Sequence, residues 1–179
     1  TYTLNFSYGS GISVAGAGFL LNNEMDDFSS KPGFPNGYGL VGGIANGIQP
    51  GKRPLSSMTP TIVFDADGEP MLATGTPGGS TIITIVMQIL LNVIEFDMNI
   101  AEATRAPRIH HQWLPDNIYY EPGLSEDSKA ILRDMGHILN DSTGRLGASQ
   151  SILRNIDGRL HGAPDSRRQG AGAVAAESL

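Results

Sequence analysis

Several short stretches of this sequence hold residues able to do chemistry together. Gly75-Thr76-Pro77-Gly78-Gly79-Ser80 lies between an extended apolar segment and a helical one. A strand, a glycine turn and a helix in that order aim backbone N–H groups outward at the positive end of a helix dipole. Such a turn holds a phosphate or a developing oxyanion, or it is a tight turn that binds nothing. A Walker loop needs a Lys before its Ser or Thr, and a dinucleotide fingerprint needs G-x-G-x-x-G; neither is present. An oxyanion hole needs only two convergent donors, which Gly78 and Gly79 can supply.

A carboxylate cluster, Glu24 with Asp26 and Asp27, follows a short apolar segment. It can receive an ammonium group, hold calcium, or form a solvated loop. Ser56 and Ser57, after a proline- and glycine-rich stretch, can donate to a carboxylate or form a plain turn. Thr1 and Thr3 offer hydroxyls: an N-terminal threonine can act as nucleophile with its own α-amine as base. His110 and His111 are adjacent, so in extended chain they face opposite ways, and packing or capping suits them better than a metal. There is no H-E-x-x-H, and no metal or cofactor is expected.

The elements that must position these groups follow from pattern. Tyr2, Leu4 and Phe6 alternate with polar residues, which predicts a strand over residues 1–8 ended by Gly9-Ser10-Gly11, and residues 18–21 read as a second short strand. Residues 30–54 are a long irregular segment with aromatics at Phe34 and Tyr38, which favours a lid that folds onto something over a floppy linker. Residues 61–64 and 71–74 flank an Asp-Gly turn and predict a hairpin. A calcium loop starting at Asp65 fails because its twelfth position is Thr76 rather than Glu. Helices are expected over 82–94, 99–106 (stopped by Pro107) and 125–135 (ended by Gly136), a strand over 118–120, and a last hairpin around Asp157-Gly158. The segment 170–179 reads as a frayed tail.

Composition narrows the classes. The chain has 179 residues, 40% hydrophobic and 17% charged, enough for a real core. A net charge of −6 argues against nucleic acid, and the absence of cysteine excludes disulfides and thiolate sites. The longest apolar stretch is too short to span a bilayer, which takes about 20 residues.

Together these stretches resemble the small, C-terminal subunit of the γ-glutamyltranspeptidases, a family of N-terminal nucleophile hydrolases. The resemblance rests on Thr1-Tyr2-Thr3-Leu4-Asn5, the run from Leu20 to Phe28, Lys52-Arg53-Pro54-Leu55-Ser56-Ser57-Met58, Gly75 to Ser80, and Ala106-Pro107-Arg108 with His110 to Pro115. It implies an α+β fold, an αββα sandwich completed by a large subunit from the same self-cleaving precursor, with residues 1–179 as a small-subunit portion. It implies γ-glutamyl transfer or hydrolysis on glutathione and related small-molecule amides, through a threonyl acyl-enzyme, in a heterodimer that is periplasmic or secreted.

Residue roles follow by match. Thr3 resembles the second threonine that positions the nucleophile. Asn5, Glu24 and Asp27 resemble the holders of the substrate α-amine, and Ser56 and Ser57 those of the α-carboxylate. Gly78 and Gly79 resemble the oxyanion hole, and Tyr38 the lid. The family's nucleophile opens a Thr-Thr-His-like run one hairpin upstream of Thr1, so Thr1 is expected to be an internal strand residue, and a chain confined to these residues is expected to be inactive. Two alternatives stand beside this: a glutaryl-cephalosporin-type acylase, whose substrate side chain lacks the α-amine that Glu24 and Asp27 would meet, and a non-catalytic binding subunit.

Overall fold

The computed structural model describes residues 2–140 and 144–174. Thr1 and the tail beyond residue 174, on which two of the expectations fall, lie outside the described residues. The chain forms two units, residues 1–58 and 59–179, each described by itself.

The second unit holds the regular elements. Strands β1 (Thr61–Phe64) and β2 (Pro70–Gly75) form the expected hairpin. Its turn is tied by Asp65, whose Oδ1 accepts from the N–H groups of Asp67 and Glu69 at 3.0 and 2.9 Å, with Gly68 at φ +85°. Helix α1 (Ile82–Ile94) follows the glycine turn. Helix α2 (Ile100–Arg105) starts at a capping box: Asn99 Oδ1 accepts from the Ala101 and Glu102 N–H groups, and the Glu102 carboxylate accepts from the Asn99 N–H. Pro107 ends it.

Strands β3 (Ile109–His110), β4 (Ile118–Tyr120) and β5 (Leu139–Asn140) make a small sheet, with α3 (Glu126–Asp134) between the last two. Strands β6 (Gln150–Arg154) and β7 (Leu160–Pro164) form the last hairpin, and β6 pairs antiparallel with β2. The main sheet therefore runs β1-β2-β6-β7.

Alternation along these strands separates two faces. Val63, Leu72, Leu153 and Ala163 join Ile85, Ile89 and Ile100 of α1 and α2 in the core. The other face is apolar and, among the described residues, largely exposed. Ile62, Ala73, Ile152 and Gly162 are register partners in one row across all four strands. Ile62, Phe64, Ile152 and Leu160 are 61%, 57%, 50% and 70% exposed. Helix α1 repeats this on its own scale: Ile85, Val86 and Ile89 are buried, while Ile83, Met87 and Leu91 are exposed at helical spacing. The fold is α+β, as expected. One helical layer and one main sheet are present among the described residues.

The first unit departs from expectation. Residues 2–8 are not a strand. Phe6 and Ser7 have φ of +56° and +80°, and the Gly9 N–H donates to the Asn5 carbonyl at 3.1 Å, so the chain coils into a turn. No described segment pairs with residues 2–4, and a strand without a partner leaves its ladder groups unmet. The second expected strand reduces to one bridge, Ser13 with Leu20, in a narrow loop closed by Val14 N–H to Phe19 O and Leu21 N–H to Ile12 O. Residues 30–54 are irregular, as read, and are held by specific bonds. Asn36 Oδ1 accepts from the Tyr38 and Leu40 N–H groups at 2.9 and 3.0 Å.

Candidate active site

The acidic turn of the first unit is a single 3₁₀ turn, Glu24–Asp27, that places three carboxylates within four residues. Asn23 organises its entry: its Oδ1 accepts from the Asn5 N–H at 3.0 Å and its Nδ2 donates to Asp26 Oδ2 at 3.1 Å. Asn5 is thereby buried beside the turn. Tyr38 stacks on Phe6 with ring centroids 5.3 Å apart and planes 8° from parallel. Burial first, then the charges of Asp27, Glu24 and Asp26, pushes the Tyr38 hydroxyl above its ordinary pKa. Asn5, Glu24, Asp27 and Tyr38 therefore lie together around the acidic turn.

Glu24 is the most perturbed of them. Its Oε1 is buried and has no hydrogen-bond partner among the described residues. Burial first, then the neighbouring carboxyls of Asp27 and Asp26, raises its pKa to about 7. Among the described residues no basic side chain is ion-paired with any of these three acids, so their charges go unopposed.

The sign of the stability effect follows. Between the ordinary value of 4.5 and about 7, folded Glu24 holds a proton that the unfolded chain has released. Stability from this group is thus complete below 4.5 and is lost as pH rises through 7. Glu24→Gln is expected to raise the melting temperature at pH 8 without ligand, and the gain should vanish by pH 4.5. Thermal melts across that range check it, and an unchanged melting temperature at pH 8 refutes it.

The remaining first-unit residues sit at its end. Ser56 Oγ accepts from the Met58 N–H at 3.2 Å, and Ser57 precedes Met58. Thr3 Oγ1 donates to Met58 Sδ at 2.7 Å, so Thr3 is fixed against the serine segment. Met58 and Asn23 were not singled out in the sequence. Only their place beside candidate residues pointed to them.

The second unit carries the glycine turn. Gly78 and Gly79 have φ of +149° and +57°, conformations that residues with side chains rarely adopt. They enter a 3₁₀ turn, Gly79–Thr81, that runs into α1. Thr81 Oγ1 donates to the Gly78 carbonyl at 2.8 Å. Ser80 donates to Gln112 Oε1 at 3.0 Å, and the same oxygen meets His110 Nε2 at 3.0 Å. His110 is buried with its Nδ1 2.8 Å from Thr84 Oγ1, whereas His111 faces out toward Asp116. The two histidines point apart, and no group of three metal-ligating side chains occurs among the described residues.

Behind the turn lies a buried charge chain that the sequence reading missed: Arg108–Asp165–Arg167–Glu121. Burial alone would raise both acids. For Asp165 it is outweighed by the Arg167 N–H, the Arg108 charge and the Ser149 N–H, and for Glu121 by the Arg167 side chain and the Leu146 and Arg108 N–H groups. Both carboxyls are held below their ordinary values. Arg108 also donates to the Leu146 carbonyl at 2.6 Å, which fixes the segment leading to Gly147.

A helix-backed four-stranded sheet with a glycine turn at the start of α1 places the chain among proteins with the N-terminal nucleophile hydrolase fold. The gamma-glutamyltranspeptidase family profile matches residues 1–175, and the chain belongs to that family. A glutathione hydrolase proenzyme of Escherichia coli is 54% identical over 93% of this chain. The chain spans 28% of that relative's length. A solved γ-glutamyltranspeptidase from Helicobacter pylori superposes with a TM-score of 0.85 at 51% identity, covering 94% of this chain and 91% of that one. A cephalosporin acylase from Bacillus halodurans is more distant, with a TM-score of 0.77 at 27% identity, covering 96% of this chain and 30% of that one.

Proposed function

We propose that this chain is the small-subunit portion of an enzyme that transfers or hydrolyses γ-glutamyl groups from glutathione and related amides. The observation that carries the reading is the buried, unpartnered Glu24 oxygen in an acidic turn with Asp26 and Asp27. A γ-glutamyl group presents an ammonium there, and a glutaryl group presents nothing. Family membership and the proenzyme character of the E. coli relative support the same conclusion.

In this reading Asn5, Glu24 and Asp27 hold the α-ammonium, and Ser56 and Ser57 donate to the α-carboxylate. A threonine upstream of Thr1 attacks the γ-carbonyl carbon through its hydroxyl oxygen, and its proton passes to its own α-amine. The tetrahedral oxygen takes the negative charge and is met by the Gly78 and Gly79 N–H groups. The C–N bond then breaks, the leaving amine takes the proton, and the ester passes to water or an acceptor amine. Thr3 positions the nucleophile, and Tyr38 belongs to the lid.

A large subunit from the same precursor completes the fold. The open sheet face supports this: a groove of about 890 Å³ lined by Ile62, Ala73, Ile152, Leu160 and Val174 is an apolar surface that a second sheet would cover.

The test is Asp27→Ala in the complete processed enzyme. KM for a γ-glutamyl anilide should rise about 10–100-fold, the range for a lost hydrogen bond to a charged group. Turnover of a glutaryl anilide should stay poor and unaffected by the change. Equal KM values for the γ-glutamyl substrate in both enzymes would refute ammonium binding.

A further inference from the structure

The two ends of the proposed glutamyl site are tied together by one side chain that no role has yet claimed. Asn46 is half-buried in a short 3₁₀ turn, Ile44–Asn46. Its Nδ2 donates to the Asp27 carbonyl at 2.7 Å. Its Oδ1 accepts from the Leu55 N–H at 3.0 Å. Its backbone carbonyl accepts from the Ser29 N–H at 2.9 Å, and Gly47 forms a bridge with Ser29. One planar amide thus joins the last residue of the acidic turn to the residue before Ser56.

That joint matters because of the ligand's chemistry. The ammonium and carboxylate of a γ-glutamyl group sit on one carbon, so their separation is fixed. Groups that meet both must be held to about 0.5 Å. Neither the acidic turn nor the serine segment is a long regular element; each is a short piece of irregular chain. Something must set the distance between them, and a rigid amide with its donor and acceptor on the same planar group does so.

We infer that Asn46 is a positioning residue that sets the spacing between the ammonium-binding and carboxylate-binding halves of the site, and so determines specificity for substrates that carry both groups on one carbon. This rests on the function proposed above.

The experiment uses the complete processed enzyme and three anilides: γ-glutamyl, glutaryl (no ammonium) and 4-aminobutyryl (no carboxylate). Asn46→Ala removes both side-chain bonds. Asn46→Asp is isosteric, keeps the acceptor for Leu55 and loses the donor to Asp27. Asn46→Ala should raise KM for the γ-glutamyl substrate about tenfold, as two ordinary hydrogen bonds would, and Asn46→Asp, which loses one of them, about threefold, each with kcat within about threefold. KM for the two truncated substrates should change by less than about twofold, because each engages only one half. Where Asn46→Ala does not fold, Asn46→Asp gives the comparison for the Asp27 bond alone.

Equal losses on all three substrates would show a merely structural side chain and overturn the inference, as would an unchanged γ-glutamyl KM. A parent enzyme that does not prefer the γ-glutamyl substrate would overturn the functional reading itself. That outcome is read from the parent alone and is distinct from the variants' failure.

Discussion

Arg108→Met should destabilise the protein by about 3–5 kcal/mol, the cost of removing one partner from a buried ion pair. The methionine fills similar space, so the loss is electrostatic and not a cavity. Arg108 and Asp165 are 2% and 0% exposed and meet at 2.7 Å. Arg108 also donates to the Leu146 and Thr104 carbonyls and to Ser149 Oγ. Asp165 keeps the Ser149 N–H and Arg167 in the variant, but its charge loses its nearest buried counterion. Arg154→Met is the control. The Arg154–Asp65 pair is about 28–30% exposed, and losing it should cost no more than about 1 kcal/mol. Chemical denaturation of the complete enzyme measures both. Equal losses would mean that burial is not what gives the Arg108 chain its weight.

Acid should act on the same chain. Asp165 and Glu121 are both held below their ordinary values, so their contribution is present above 3.8 and 4.5 and is lost as pH falls through the lowered values. Glu24 moves the other way. The fold is thus stabilised by carboxylates in one place and strained by a carboxylate in another, and the strained one belongs to the proposed ligand site. A site that binds a cation must hold charge unpaired until the cation arrives.

How much of this was legible follows from the range of each interaction. The two hairpins were readable because Asp65 to Gly68 and Asn155 to Gly158 specify turns locally. The capping box at Asn99 needs four residues to recognise. The β2–β6 pairing joins Ala73 to Ile152, and nothing in either strand announces the other. Arg108 likewise finds Asp165 across 57 positions. Tyr2, Leu4 and Phe6 alternate as a strand would, but alternation predicts a strand only where a neighbour can pair, and the positive φ at Phe6 and Ser7 won. Most candidate residues were picked out by type and spacing, and the family resemblance added Asn5 and gave each its role. Asn23, Asn46 and Met58, which hold them, were not picked out, because nothing in their residue types marks the partner each one meets.

In the proposed mechanism the glycine turn meets the tetrahedral oxygen, and on that reading Gly78→Ala should lower kcat about 10²–10³-fold, the usual loss for one oxyanion donor. A Cβ at Gly78 would come 2.6 Å from Thr81 Oγ1, with Ile85 Cδ1 and Gly147 Cα at 3.6 and 3.7 Å. Thr81 is bonded to the Gly78 carbonyl and opens α1, so its hydroxyl gives way only by rotating off that bond. Retreat the other way is closed. Gly147 is packed so tightly that its own Cβ would come within 2.8 Å of Thr76 Oγ1, Ile85 Cδ1 and the Pro77 carbonyl, and Arg108 anchors that segment. The turn must therefore move, and φ of +149° is in any case rarely open to alanine. The residues proposed to hold the glutamyl end belong to the other unit. KM for a γ-glutamyl anilide should accordingly stay within a few-fold while kcat collapses, which is the signature of an interaction made only in the transition state. A variant that folds, as shown by its circular dichroism and melting temperature, and turns over at the parental rate would remove Gly78 from the mechanism. A variant in which KM rises and kcat holds would make the turn part of ground-state binding instead.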